Sequence, residues 1–381
     1  MIQSLLEYFN PLDYKYLWLL ITFVLAFVVS YSSFPAILRV AEAKHLMDEP
    51  DERSTHSSNV PTLGGIGIYM SMVVVITLIG ALLDTKILLL ILGGMTFLFF
   101  LGLKDDLLIL SPRKKFLGQL IVAFLLIIFT DTRIVGLSGI FGVTIMPYWL
   151  SVVFTLFVYL VIINGYNLID GVDGLAGSLG LFASACFAVI FMVMGDISIA
   201  TLSVGLIGAL IPFLRLNFSK RSKIFMGDTG SMLVGFLIAF FVVRFIGQVQ
   251  IVKFEPFNSY APVLALAVVF FPLLDTLRIF MVRLLIYKKS PFIADKNHLH
   301  HRFLQLGFSH GKTTISIVLV NLLIVSLVVL TQALEIHAQL ILLLIFGSLF
   351  YYAFFIYFWV KRFKYKSRRL RYRAKLAKRF S

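Results

Sequence analysis

Stretches of roughly 17–25 mostly apolar residues recur from one end of this chain to the other, each long enough to cross a bilayer as a helix. That pattern leaves few folds open. Of 381 residues, 60% are hydrophobic and 14% charged, against about 25% charged in a soluble domain. Such a chain lacks the polar surface to coat a water-soluble globule. The sequence predicts an all-α polytopic membrane protein with about eleven spans, near 15–35, 63–83, 87–103, 116–130, 149–164, 175–194, 198–214, 230–246, 260–282, 313–330 and 339–360. The third to fifth are the weakest. Residues 1–360 read as one membrane domain and 361–381 as a basic tail. The opening residues MIQSLLEYFNPL lack a basic stretch, so no cleavable signal peptide is expected and the first span serves as the insertion signal.

An odd number of spans puts the termini on opposite sides. With a cytoplasmic C-terminus, the inner segments 36–62, 104–115, 165–174, 215–229, 283–312 and the tail hold 28 of the 34 Lys and Arg, and the outer segments hold four. Positive charge stays on the cytoplasmic side, so the N-terminus is expected outside and the protein in the cytoplasmic (inner) membrane. Eleven of the 15 net positive charges come from the tail. A basic run just after a span reads as an anchor to anionic lipid or a plain topology signal, and no nucleic-acid partner is expected. Cys186 lies in an apolar span and has no intrachain partner. Outside, residues 131–148 alternate apolar residues with Gly and Thr, which predicts a small hairpin.

The inner segments carry the chemistry. KDDLLILSPRKK (104–115) places Asp105 and Asp106 beside each other near Lys104, Arg113, Lys114 and Lys115. Adjacent carboxylates want a cation, so the choice lies between a solvated loop and a phosphate or metal site. NGYNLIDGVDG (164–174) repeats Asn164, Asn167, Asp170 and Asp173 every third residue, one face if helical. Capping explains one or two of these, not four in step. In FMGDTGS (225–231), Asp228 sits between two glycines where a span begins. A helix N-terminus suits phosphate, and a lone carboxylate suits Mg²⁺ shared with substrate phosphates. SPFIADKNHLHHRF (290–303) groups His298, His300 and His301 beside Arg302. Metal, phosphate and surface accident stay equally open there. VPTLGG (60–65) lets backbone approach a ligand or a helix closely.

Taken in order, VPTLGG, GLKDDLLILSPRKKFLGQ, NGYNLIDGVDGLAG, FMGDTGSM and PFIADKNHLHHRFLQLGF resemble the motifs of the polyprenyl-phosphate N-acetylhexosamine-1-phosphate transferases, the glycosyltransferase 4 family, over about residues 40–312. The resemblance implies transfer of GlcNAc-1-phosphate from UDP-GlcNAc to undecaprenyl phosphate, with release of UMP, at the start of envelope polysaccharide synthesis such as O-antigen. It implies Mg²⁺, with Mn²⁺ as a substitute, and admits a homodimer. By carry-over, Asp228 is the first choice for metal ligand, with Asp173 beside it. Asp105 positions or deprotonates the lipid phosphate, or with Asp106 organises cations; a covalent aspartyl intermediate stays open. Asn164, Asn167, Asp170 and Asp173 hold the nucleotide and metal-phosphate region. Phe225 stacks on uracil and Asn217 hydrogen-bonds it. His298, His300, His301 and Arg302 contact pyrophosphate or sugar, His298 among the catalytic set. Lys115 and Arg283 are further phosphate ligands. The peptidoglycan branch of the family has a lysine three residues after its Asp pair, where this chain has Ile109. That favours the GlcNAc branch over it. Another UDP-N-acetylhexosamine donor is the remaining enzyme alternative, and a proton-coupled transporter the alternative of a different class.

Overall fold

A computed structural model describes residues 13–46, 60–78, 80, 83–108, 110–252, 254–255, 257–286, 288 and 299–377. It is all-helical, with no β-strand element among the described residues. Helices α1 (Lys15–Ala43), α2 (Gly64–Leu78), α3 (Thr85–Leu108), α4 (Pro112–Thr130), α5 (Tyr148–Ile169), α6 (Leu175–Met194), α7 (Ile197–Asn217) and α8 (Gly227–Val252) come first. Then follow α9 (Ala261–Val268), α10 (Phe270–Met281) with a π-helical turn Val282–Ile286, α11 (Leu299–Gln305), α12 (His310–Leu330) and α13 (Ile336–Ala377).

Each of the eleven predicted spans has a helix. Eight are long and apolar enough to cross a membrane, and α9 with the helix after it adds a ninth if that pair, bent by 76°, counts as one. The other two are marginal for identifiable reasons. Helix α2 has 15 residues, and α4 opens on Arg113, Lys114 and Lys115.

Helix α8 is the axis of the bundle, with 19 of its 26 residues buried. It packs against α5, α3, α2, α6 and α9. A helix apolar on all sides can only sit in such a place. Phe187, Phe191, Phe241 and Phe245 interlock between α6 and α8. Helices without a hydrophobic drive between them adhere through close packing and interhelical hydrogen bonds. Accordingly, Ser30 Oγ donates to Ala209 O at 2.8 Å and Ser71 Oγ to Ala26 O at 2.7 Å. At the break between α9 and α10, backbone groups lose helical partners, which is tolerable in a membrane only if something else supplies them. Asn321 of α12 does so: its amide donates to Ala267 O and Val268 O, and its carbonyl accepts from Phe271 N.

The segment predicted as a hairpin doubles back through Met146 N to Val135 O (2.8 Å) and Leu137 N to Val143 O (3.1 Å). A single 3-10 turn, Ile140–Gly142, forms its tip. Gln250 of α8 ties its base by accepting from Val135 N and Gly136 N.

The predicted loop 104–115 is shorter than expected. Helix α3 runs on to Leu108 and α4 starts at Pro112, a residue that favours the first helical position. Helices do not stop where hydropathy drops. Asp105 and Asp106 therefore ride the last turn of α3, and Lys115 the first turn of α4.

Gly102 on α3 faces the start of α8 so closely that a Cβ would lie 2.5 Å from Thr229 Cα, while a Cβ on Gly93 of the same helix would meet nothing within 4 Å. Gly102→Ala is expected to cost about 1–3 kcal/mol and lower the thermal midpoint of the detergent-solubilised protein. Gly93→Ala should leave the midpoint in place; equal midpoints for the two variants would refute this packing.

Candidate active site at the polar end of the bundle

The first amides of a helix have no intrahelical acceptor, and α8 begins inside the bundle. Asp106 reaches across from α3 to supply them. Its Oδ1 accepts from Asp228 N at 2.7 Å, and its Oδ2 accepts from Thr229 N at 3.0 Å and Thr229 Oγ1 at 2.5 Å. The chain enters α8 through Gly227 at φ +70°, where a Cβ would also strike Thr62 O and Asp106. Gly64 N and Gly65 N donate to Phe225 O (2.9 Å) and Met226 O (3.0 Å), and Phe225 N donates to Pro61 O (2.8 Å). The VPTLGG and FMGDTGS motifs thus meet backbone to backbone.

Asp228 Oδ2 accepts from Lys115 Nζ at 2.6 Å, and the same ammonium contacts Asp105 Oδ2. Asn167 Nδ2 donates to Asp228 Oδ1 and lies 3.0 Å from Ser231 Oγ. One turn earlier on α5, Asn164 Nδ2 donates to Gln119 Oε1 at 2.7 Å. Asp105 is buried, and its Oδ1 takes the Leu110 N–H at 2.5 Å.

Asp170 follows α5 and receives the Gly227 N–H. Burial, followed by the carboxylates of Asp228, Asp106 and Asp173, drives its pKa well above the usual carboxylate range. Asp173 behaves oppositely. Burial works against its charge, but hydrogen bonds from His310 and Lys223 prevail and hold its pKa low. Lys223 Nζ lies 2.6 Å from Asp173 Oδ2 and 5.1 Å from the centre of the Phe225 ring. His310 Nδ1 lies 3.1 Å from Asp173 N and 3.3 Å from Asp173 Oδ2. Thr314 Oγ1 donates to Asp173 O.

The predicted residues therefore fall into groups. Asp105, Asp106, Lys115, Asn167, Asp170 and Asp228 converge, with Asn164 one layer below. Asp173 and Phe225 stand in a second group around Lys223. Asn217 is 4% exposed and both ends of its amide hold backbone, accepting from Gly174 N and donating to Ile224 O at 2.6 Å. It fastens two loops and is not offered to a base. His300 is likewise fully buried, its Nδ1 2.8 Å from Asp275 Oδ2, while Asp275 Oδ1 accepts from Leu299 N at 2.6 Å. The carboxylate that docks α11 on α10 thus holds its Nδ1. Arg283 is buried on the π-helical turn, and Arg302 lies on α11. His301 belongs to α11, but its side chain lies outside the described residues, as does all of His298.

Lys223, His310, Gln119 and Asp275 escaped the sequence reading. Lys223 counted only as topology charge, and His310 stood apart from the histidine cluster at the head of α12. Among the described residues, no three His, Cys, Asp or Glu side chains are grouped to hold a metal by themselves.

The model of glycosyl transferase family 4 matches residues 88–246. A protein of Escherichia coli K12 named undecaprenyl-phosphate alpha-N-acetylglucosaminyl 1-phosphate transferase is 30% identical over 325 residues, which cover 84% of this chain and 84% of that protein. The chain belongs to this glycosyl transferase family. A Bacillus subtilis 168 relative, named "Probable undecaprenyl-phosphate N-acetylglucosaminyl 1-phosphate transferase", is 31% identical over 84% of this chain and 87% of its own. One named like the E. coli protein, from Yersinia pestis, is 28% identical over 87% and 91%. The family match runs from α3 to α8 and takes in Asp105, Asp106, Asn167, Asp170 and Asp228.

Asp106→Ala removes the cap of a buried family helix. It is expected to cost about 1–2 kcal/mol and to speed amide hydrogen exchange at residues 227–231. Unchanged exchange there would show that Asp106 does not cap α8.

Proposed function

We propose that this protein transfers GlcNAc-1-phosphate from UDP-GlcNAc to undecaprenyl phosphate, giving undecaprenyl-diphospho-GlcNAc and UMP. The observation that carries it is the meeting of Asp105, Lys115, Asn167 and Asp228 from four helices and three sequence motifs, in a chain whose relatives bear that activity in their names.

The positive-charge asymmetry of 28 against four supports a cytoplasmic polar end, hence a site at the inner face of the cytoplasmic membrane. There a soluble nucleotide-sugar can meet a lipid phosphate. A phosphate with a second pKa near 6 is mostly dianionic at neutral pH. Its oxygen attacks the β-phosphorus of the donor. The new P–O bond forms as the bond to the bridging oxygen breaks, and UMP leaves with the electron pair. Because the acceptor is already ionised, no general base is required, and Asp105 would act through the cation it shares with Asp228.

The carboxylates fit a Mg²⁺ ion. Asp105 and Asp228 already share one cation, the Lys115 ammonium. Two carboxylates completed by substrate phosphates are a usual Mg²⁺ set. Held there, the ion would neutralise charge on the pyrophosphate. Asn167 keeps Asp228 in orientation through Oδ1. Phe225 offers a ring face for uracil beside Lys223. Asp173, already committed to Lys223 and His310, would set that side of the nucleotide pocket.

Membranes carrying the protein, given undecaprenyl phosphate, Mg²⁺ and labelled UDP-sugars singly, are expected to release UMP and label lipid with UDP-GlcNAc. Label from UDP-GalNAc or UDP-MurNAc-pentapeptide instead would move the donor within the family, and no lipid product from any of them would sink the proposal. Asp228→Asn should nearly abolish turnover and weaken the Mg²⁺ dependence; an active variant would remove Asp228 as a ligand. An Ala377→Cys tail should resist membrane-impermeant thiol reagents in intact cells, and ready labelling would reverse the orientation.

A further inference from the structure

Lys115 occupies a place where its own helix does not favour it. It lies in the first turn of α4, at the positive end of the helix dipole. What holds it there is the pair of carboxylates from α3 and α8. Its side chain is 23% exposed and that of Asp228 27%, so both are open to the polar face, whereas Asp105 at 5% is not. Asp228 has a second support in Asn167, on its other oxygen. Asp105 has one in Leu110 N. Both carboxylates therefore keep their orientation if the ammonium departs.

We propose that Lys115 is the exchangeable counter-ion of this pair. Its ammonium bridges Asp105 and Asp228 in the substrate-free protein, and yields its place to the divalent cation by swinging onto the donor's diphosphate. The proposal rests on the phosphotransferase reading above. A divalent cation and an ammonium cannot share two carboxylate oxygens without strong like-charge repulsion. A diphosphate arriving at the same moment gives the displaced ammonium a new partner, and the four-carbon stem of lysine gives it reach. The exchange makes cation and donor bind in concert. Alone, the cation must strand the lysine; with a diphosphate present it need not. Each ligand must then strengthen the other by the same factor.

The test uses the detergent-solubilised full chain and Mn²⁺ as a paramagnetic probe, with free Mn²⁺ read by electron paramagnetic resonance. Wild type should bind Mn²⁺ weakly alone and more tightly with UDP. Lys115→Gln should bind Mn²⁺ alone at least about tenfold more tightly than wild type, and gain less from UDP. Lys115→Arg, which keeps the charge, should stay as weak as wild type. In wild type, with no substitution to disturb folding, amine labelling of Lys115 read by mass spectrometry should rise with Mn²⁺ alone and fall again when UDP is added. If Lys115→Gln binds Mn²⁺ no more tightly, or labelling ignores Mn²⁺, while binding still requires Asp228, the exchange is wrong and the phosphotransferase reading stands. If Mn²⁺ binding with UDP is indifferent to Asp228→Asn, both fall.

Discussion

The most demanding constraint in this molecule is the start of α8. A helix buried along most of its length has to begin somewhere, and its first amides cannot be left without acceptors in a water-poor place. Asp106 of α3 meets that demand with three hydrogen bonds. To let it reach, α3 and α2 come within backbone contact of α8 at Gly102 and Gly65, and Gly227 turns the chain in a conformation other residues adopt with strain. Once these contacts are made, little freedom remains. Asp105 precedes the cap residue on α3, and Asp228 is the residue whose amide is capped. Their carboxylates are thereby delivered to the same lysine. The site is a by-product of finishing a buried helix.

The loops around it are fixed by the same economy of polar groups. Asn217 joins the backbone at Gly174 to that at Ile224, so the turn holding Asp170 and Asp173 moves with the strand of chain leading to Phe225. His310 and Thr314 bind the Asp173 backbone from α12. Asn321, lower on α12, closes the break that starts α10, and Asp275 of α10 docks α11 through His300 and Leu299 N. Gly165 on α5 packs against Pro272 and Thr276 of α10. A continuous set of contacts thus runs from the histidine segment to the asparagines of α5, which suits a site whose substrates are charged and have to be held at the edge of a bilayer.

Much of this was legible in the sequence, and what was not has a common cause. Apolar run length marked a helix at each predicted span, eight or nine of them long and apolar enough to cross a bilayer, because crossing a bilayer leaves helices little choice. The every-third spacing of Asn164, Asn167, Asp170 and Asp173 suggested one helical face; α5 carries the two asparagines but ends at Ile169, so the two aspartates lie in the turn beyond it. Asp228 at the head of a span was recognisable as an N-terminal residue. What a sequence shows poorly is who partners whom. Asp106 looks like a twin of Asp105, yet one caps a helix and the other faces an ammonium. Asn217 and His300 are polar residues in motif positions, and nothing in their spacing distinguishes a buried fastener from a ligand. Lys223 and His310 stand in separate segments and converge on Asp173 only through the fold. The α9–α10 bend hides inside one apolar stretch, since Asn321 compensates for it from fifty residues away.

The charge distribution at the polar end explains why both substrates would need help to enter. Asp105, Asp106, Asp170, Asp173 and Asp228 lie within one region, and among the described residues Lys115 and Lys223 are ion-paired to them, with His310 beside Asp173. Asp106 is satisfied by helix amides, and Asp173 by Lys223 and His310. Asp170 gets the Gly227 amide, but burial and three neighbouring carboxylates oppose its charge. Such a cluster repels a diphosphate and a lipid phosphate alike. Anions approach carboxylates only when positive charge comes between them. Lysines alone are already spent on the carboxylates. A divalent ion arriving with a diphosphate would supply that positive charge and leave a lysine free to follow the phosphates. The carboxylate cluster itself, set within a basic surface, is therefore better suited to gathering phosphates through a cation than to holding them directly.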